Sequence, residues 1–156
     1  MKIYFDTCCY CRPFDNKNHL AQSDVQWEIT SILDVIRWAG IAEWSIVGSA
    51  AIIAEIGAIK KNLFKRDRAR GFYDETVSDE LTNTPEITKR GEELTAAGLS
   101  NFDPYHVAFA EAANVDFFLT TDQRLVNGAE RLGIKVKVIN PTNFLEEYVK
   151  WLQKST

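Results

Sequence analysis

The chain has 156 residues, 46% hydrophobic and 26% charged, which fits one globular domain spanning residues 1–156 with a substantial core. A net charge of −4 speaks against a nucleic-acid binder that works by overall basicity. No run is long and apolar enough to span a bilayer, and the N-terminus lacks the basic and apolar regions of a secretion signal, so a cytoplasmic location with no membrane partner is expected.

In chain order, "KIYFD" reads as a short strand whose chain turns at Asp6. Cys8, Cys9 and Cys11 follow at once. An odd number packed into four positions makes no disulfide framework, and the spacing is poor for zinc, with only His19 and His106 to complete a site. Val25, Ile29, Ile32, Val35 or Ile36, and Ala39 recur at helical spacing, and Gly40 is the expected stop. "EWSIVGS" predicts a second strand, with Ser49 capping a helix that carries "SAAIIAEIGAI". That helix is apolar nearly all round, the pattern of a buried helix, yet it holds one carboxylate, Glu55. A buried carboxylate is costly without a partner.

The segments "KRDRARGFYDETVSDEL" and "ITKRGEELTAAG" read as helices, each weakened by an internal Gly. Lys60, Lys61, Lys65, Arg66, Arg68 and Arg70 form a basic strip there, which is either a solvated helix face or, with Arg12, a local grip on nucleic acid. "DPYHVAFAEAANV" predicts a helix with Asp103 as N-cap and Pro104 in its first turn. "FFLTTD" is an apolar strand ending in hydroxyls and an acid, "QRLVNGAERLG" a helix and "KVKVIN" a last strand. After Pro141 a C-terminal helix is expected, opened by Asn143 with Glu146 in a capping-box arrangement.

Strands alternating with helices predict parallel pairing through right-handed crossovers, hence a three-layer α/β/α sandwich around a mostly parallel sheet. Ligands of such sheets bind beyond the carboxyl ends of the strands, near the switch in strand order. Asp6 and Asp122 end the two strands expected there, and helix N-termini at the same edge bring Asp103 and Glu55 toward them. Capping alone explains Asp103 and Asp122 but not Glu55. Four converging carboxylates repel unless a cation neutralises them, and hard oxygen donors suit Mg²⁺ or Mn²⁺. Such an ion with an open face points to phosphoryl chemistry, and Thr7, Thr120 and Thr121 stand beside the acids.

"IYFDT", Glu55 in its apolar helix, and "DPYHVAFAEAANVDFFLTTD" together resemble a PIN domain, closest in kind to the toxin subunit of VapBC toxin–antitoxin pairs. The resemblance spans essentially the whole chain. It implies a metal-dependent endoribonuclease whose acids match Asp6, Glu55, Asp103 and Asp122, with Thr121 as a helper. It also implies Mg²⁺ or Mn²⁺ as cofactor, RNA as substrate, a cognate antitoxin over the groove and a homodimer. Family members commonly have Asn and aliphatic residues where Cys8 to Arg12 stand here. Asp116, at the far end of its strand, is expected to be structural. The alternative is a catalytically silent PIN-like module that binds RNA or protein. A haloacid-dehalogenase reading fails because Cys8 occupies the place of the second Asp, and no receiver-type Lys pattern is present.

Overall fold

The computed structural model describes residues 1–156. Strand β1 (Lys2–Phe5) leads into a five-residue helix α1 (Thr7–Cys11), a 3₁₀ turn (Arg12–Phe14), the short α2 (Lys17–Leu20) and the long α3 (Ser23–Ala42). Then come β2 (Ser45–Ser49), α4 (Ala50–Gly57), α5 (Leu63–Thr76), β3 (Asp79–Leu81) and α6 (Pro85–Ala96). The chain ends with α7 (Asp103–Ala112), β4 (Phe117–Leu119), α8 (Gln123–Arg131), β5 (Lys137–Ile139), a second 3₁₀ turn (Pro141–Asn143) and α9 (Phe144–Ser155).

All four strand pairings are parallel, in the order β3-β2-β1-β4-β5. A central parallel strand is covered on both faces and therefore reads as an unbroken apolar run. Phe5 and Phe117 turn to one face, against Tyr10 and Phe144. Tyr4 and Phe118 pack on each other at the opposite face, where Tyr4 also meets His106. The expected α/β/α arrangement is thus the observed one. The order reverses between β1 and β4, whose ends are in register at Phe5 and Leu119, and the Asp6 N–H donates to the Leu119 carbonyl at 2.9 Å. Both strands therefore deliver their next residues to one crevice.

Several local expectations are corrected. "VSDEL" does not continue a helix: Asp79–Leu81 pair with β2 as an edge strand, where charged residues discourage further pairing. The helix before it opens earlier, at Leu63, because the Asn62 side chain accepts the Lys65 N–H. Gly40 lies within α3, which ends only at Glu43 in a left-handed conformation with φ 53°. Asn143 makes no capping bond, because the 3₁₀ turn gives it near-helical angles; Asn140 caps that turn instead, and Glu146 pairs with Lys150. The glycine inside α6 has a packing reason. A Cβ on Gly91 would lie 2.5 Å from the Tyr105 ring of α7.

Helix α4 is not buried all round. Ala51, Ile52 and Ile56 are buried, whereas Ala50, Ala54 and Gly57 are exposed and Glu55 lies between. Small side chains made one exposed face look like core.

Candidate active site

Asp6 is 5% exposed and caps α1, its Oδ1 accepting the Thr7 N–H at 2.7 Å. Its Oδ2 accepts the Thr120 hydroxyl at 2.6 Å and the Cys8 thiol at 3.3 Å. The adjoining strand end is tied to the same group: the Thr120 Oγ1 accepts the Asp122 N–H at 3.0 Å, and the Cys8 Sγ accepts the Thr121 N–H at 3.2 Å. The hydroxyl that meets Asp6 therefore belongs to Thr120, while Thr121 contributes its backbone. Cys9 and Cys11 are buried, and all three thiols are free.

Asp122 caps α8, accepting the Arg124 N–H at 2.9 Å. Asp103 does not cap. It is the first residue of α7, behind Phe102, and its carboxylate accepts no hydrogen bond. The turn through Asn101 (φ 56°) places Phe102 at the cap position and turns Asp103 into the crevice. Burial, then the charges of Asp6, Asp122 and Glu55, push its carboxyl up to about 7, against the opposing pull of His106.

The residue that sequence reasoning left out of the site is His106. It is wholly buried, and its Nε2 lies 2.5 Å from Glu55 Oε2 and 3.6 Å from Asp6 Oδ1. Its Nδ1 faces the Tyr4 hydroxyl at 2.8 Å, and that hydroxyl lies 2.7 Å from Ser49 Oγ, which also accepts the Ile52 N–H that opens α4. One chain of hydrogen bonds thus joins β1, β2 and α7 to Glu55. Burial works against charge on both members of the pair, but their mutual contact wins: the Glu55 carboxyl is held below its ordinary value and the His106 imidazole above. A signal was available. His106 follows Asp103 by three residues on an otherwise apolar helix, the same kind of anomaly that singled out Glu55.

Ligand atoms of Asp6, Glu55 and His106 lie within 4.8 Å of one another. With Asp103 and Asp122 close by, this donor set fits a divalent cation. Acids that cannot all ionise together are relieved by one, and oxygen donors predominate.

From this crevice a cleft of about 520 Å³ runs past Thr7, Cys8 and Glu55 to Arg12, Asp15, His19, Lys61 and Lys65. The basic strip is largely self-neutralised. Arg66 pairs with Asp67 and Arg70 with Asp74, at 2.9 and 2.8 Å. Lys65 and Arg12 both fold onto Asp15. Lys61 carries no ion pair, and Arg68 lies over the Phe64 ring, 5.4 Å from its centroid. Asp116 accepts the Lys2 N–H at 2.8 Å, holding β4 to β1 at the end away from the crevice, as its position suggested.

No protein-family model matches the sequence, and no curated protein does. Among solved structures, a chain of VapBC2 from Rickettsia felis, crystallised with a DNA fragment from the promoter, superposes with a TM-score of 0.57. The match covers 90% of this chain and 98% of that one at 15% identity. The chain has a PIN-like fold. In the PIN-like frame the acid crevice lies where β1 and β4 diverge, at the carboxyl edge of the sheet. No helix is long and apolar enough to cross a membrane.

Proposed function

We propose that this chain is a metal-dependent endoribonuclease, folded as one domain over residues 1–156 and acting in the cytoplasm as the toxin of a toxin–antitoxin pair. The observation that carries the reading is the convergence of Asp6, Glu55, Asp103 and Asp122 on one crevice, with Asp103 left without a hydrogen bond and its carboxyl raised to about 7. Asp6, Glu55 and Asp122 have partners within the chain; Asp103 has none, and it is this acid that asks for a cation.

In this reading Asp6, Glu55, Asp103 and Asp122 hold Mg²⁺ or Mn²⁺. Bound there, the ion acidifies a water and stabilises charge on a phosphodiester. Thr120 fixes the Asp6 carboxylate from the β4 side, and His106 fixes Glu55. The Thr121 hydroxyl, at the lip of β4, is available to orient water or a phosphate oxygen. The adjoining cleft receives the RNA strand, with Lys61 as the cation of its lining that carries no ion pair. The VapBC2 neighbour is an assembly of that kind, which supports an antitoxin partner here. Exposed Ile41, Leu145, Val149 and Leu152 offer apolar surface for such a chain or for a second copy.

The test is cleavage of a mixed structured and single-stranded RNA pool with Mn²⁺, with EDTA, and by Asp6→Asn protein purified in the same way. Metal-dependent cutting that disappears in the variant is expected. Cutting that survives in Asp6→Asn would place the chemistry elsewhere.

A further inference from the structure

We propose that His106 is itself a ligand of the metal, so that this centre is a mixed carboxylate–imidazole site that takes Mn²⁺ in preference to Mg²⁺. The inference rests on the metal-dependent reading above and goes beyond its all-oxygen ligand set.

The geometry argues for it in two steps. The Ser49 Oγ accepts the Ile52 N–H and keeps a second lone pair, which in this assignment takes the Tyr4 O–H. Tyr4 then has its lone pairs toward His106 and accepts the Nδ1–H. In that direction of the chain the nitrogen left over is Nε2, which faces Glu55 Oε2 and Asp6 Oδ1 together. Metal-bound histidines characteristically donate their other N–H to a fixed acceptor, which sets the ring and its tautomer. Tyr4 is that acceptor, held by a cap that α4 needs for its own reasons.

The second step concerns the contact between Nε2 and Glu55. At 2.5 Å it is a hydrogen bond, with room for a proton but not for an ion between the two atoms. A divalent ion that takes the place of that proton would meet both atoms from one side, together with the Asp6 oxygen of the same cluster, within 4.8 Å. Mg²⁺ demands oxygen ligands in near-ideal octahedral geometry, whereas imidazole suits transition ions. Wholly buried and braced from behind, His106 cannot swing away to restore an all-oxygen set. The preference follows.

The test uses pulsed electron paramagnetic resonance on the Mn²⁺-loaded full-length protein, prepared as His19→Gln so that His106 is the only histidine. Expected is a nitrogen coupling typical of a directly bound imidazole, which changes to the ¹⁵N pattern when the protein is grown on ¹⁵N-histidine. Calorimetry on the same protein is expected to show Mn²⁺ binding about tenfold or more tighter than Mg²⁺. Tyr4→Phe, which keeps the ring but removes the acceptor, is expected to weaken Mn²⁺ binding about 10- to 100-fold. Mn²⁺ that binds without histidine nitrogen coupling overturns this inference and leaves the metal-dependent reading standing. Failure of the folded protein to bind Mn²⁺ at all overturns both.

Discussion

Asp15 and Asp103 are the same residue type under the same pressure, and the fold answers it in opposite ways. Asp15, its side chain 7% exposed, receives His19 Nδ1 at 2.8 Å, Arg12 Nη1 at 3.2 Å and the Lys65 ammonium. Burial pushes its carboxyl up, but the hydrogen bonds from Lys65 and Arg12 more than reverse that, and it ends below the usual range. Asp103 receives no donor, and acids surround it. Burial alone therefore does not distinguish a structural acid from a functional one. Whether the chain supplies its own counter-charge does.

Removing each acid should separate the two roles most strongly. Asp15→Ala leaves Arg12 and Lys65 without their shared anion and is expected to destabilise the fold by about 2–3 kcal/mol, the lower side of a broken buried pair because the cations are partly solvated. For a domain of this size that lowers Tm by roughly 5–10 °C. Asp103→Asn is expected to leave the metal-free protein unchanged or about 1 kcal/mol more stable, the raised carboxyl being discounted for the solvent that reaches it. The same variant should lose the rise in Tm that Mn²⁺ gives the parent protein. Thermal melts in EDTA and in Mn²⁺ check both. Equal destabilisation by the two variants in EDTA would erase the distinction.

A pH series sharpens it. The folded Asp103 carboxyl keeps its proton up to about 7, whereas the unfolded one releases it near 3.8. Between those values the folded state holds more protons, so stability in EDTA falls as pH rises toward 7. The raised His106 acts in the same direction, its contribution being lost as pH climbs through its folded pKa. Glu55 and Asp15, both lowered, act oppositely: their contributions are present above their ordinary values of 4.5 and 3.8 and are lost on acidification below them. Denaturation between about pH 5 and 7 therefore isolates the acid crevice, and Asp103→Asn should flatten the slope there. Stability that rises over this interval would contradict the assignment. Because a divalent ion competes with the Asp103 proton, Mn²⁺ affinity should rise with pH through the same window, measurable by calorimetry.

How far the sequence foretells this follows from which residues act through position and which through contact. β1 and β4 are legible because burial on both faces leaves unbroken apolar runs, and the strand-end rule then carries Asp6 and Asp122 to one crevice. β3 is hidden by its acidic, three-residue edge, and α1 by its brevity. Asp103 looks like a cap before Pro104; only the left-handed turn at Asn101 shifts it one position into the helix and frees its carboxylate. The Asp15 cluster joins Arg12, His19 and Lys65 across 50 residues of chain, and no periodicity encodes such a meeting. His106 was half legible, a polar residue on an apolar helix, but its partner Tyr4 sits in a strand that reads as pure core.

The smallest expected effect concerns the cations. If self-pairing neutralises the basic strip, its members cannot all displace counterions from RNA. Lys61 lines the cleft and has no acidic partner, whereas Arg66 is held by Asp67. RNA binding by the Asp6→Asn protein, followed across a salt series in EDTA, should therefore lose about 0.7 from its log–log slope on Lys61→Ala, the share of one single-strand phosphate. Arg66→Ala should change the slope little. Lys65→Ala should weaken the fold more than it weakens RNA binding, because its charge already serves Asp15. Equal slope changes at Lys61, Lys65 and Arg66 would mean that RNA draws the paired cations away from their acids. The Asp15 cluster would then belong to the binding surface, and the boundary between structural and functional charge would run between single bonds rather than between regions.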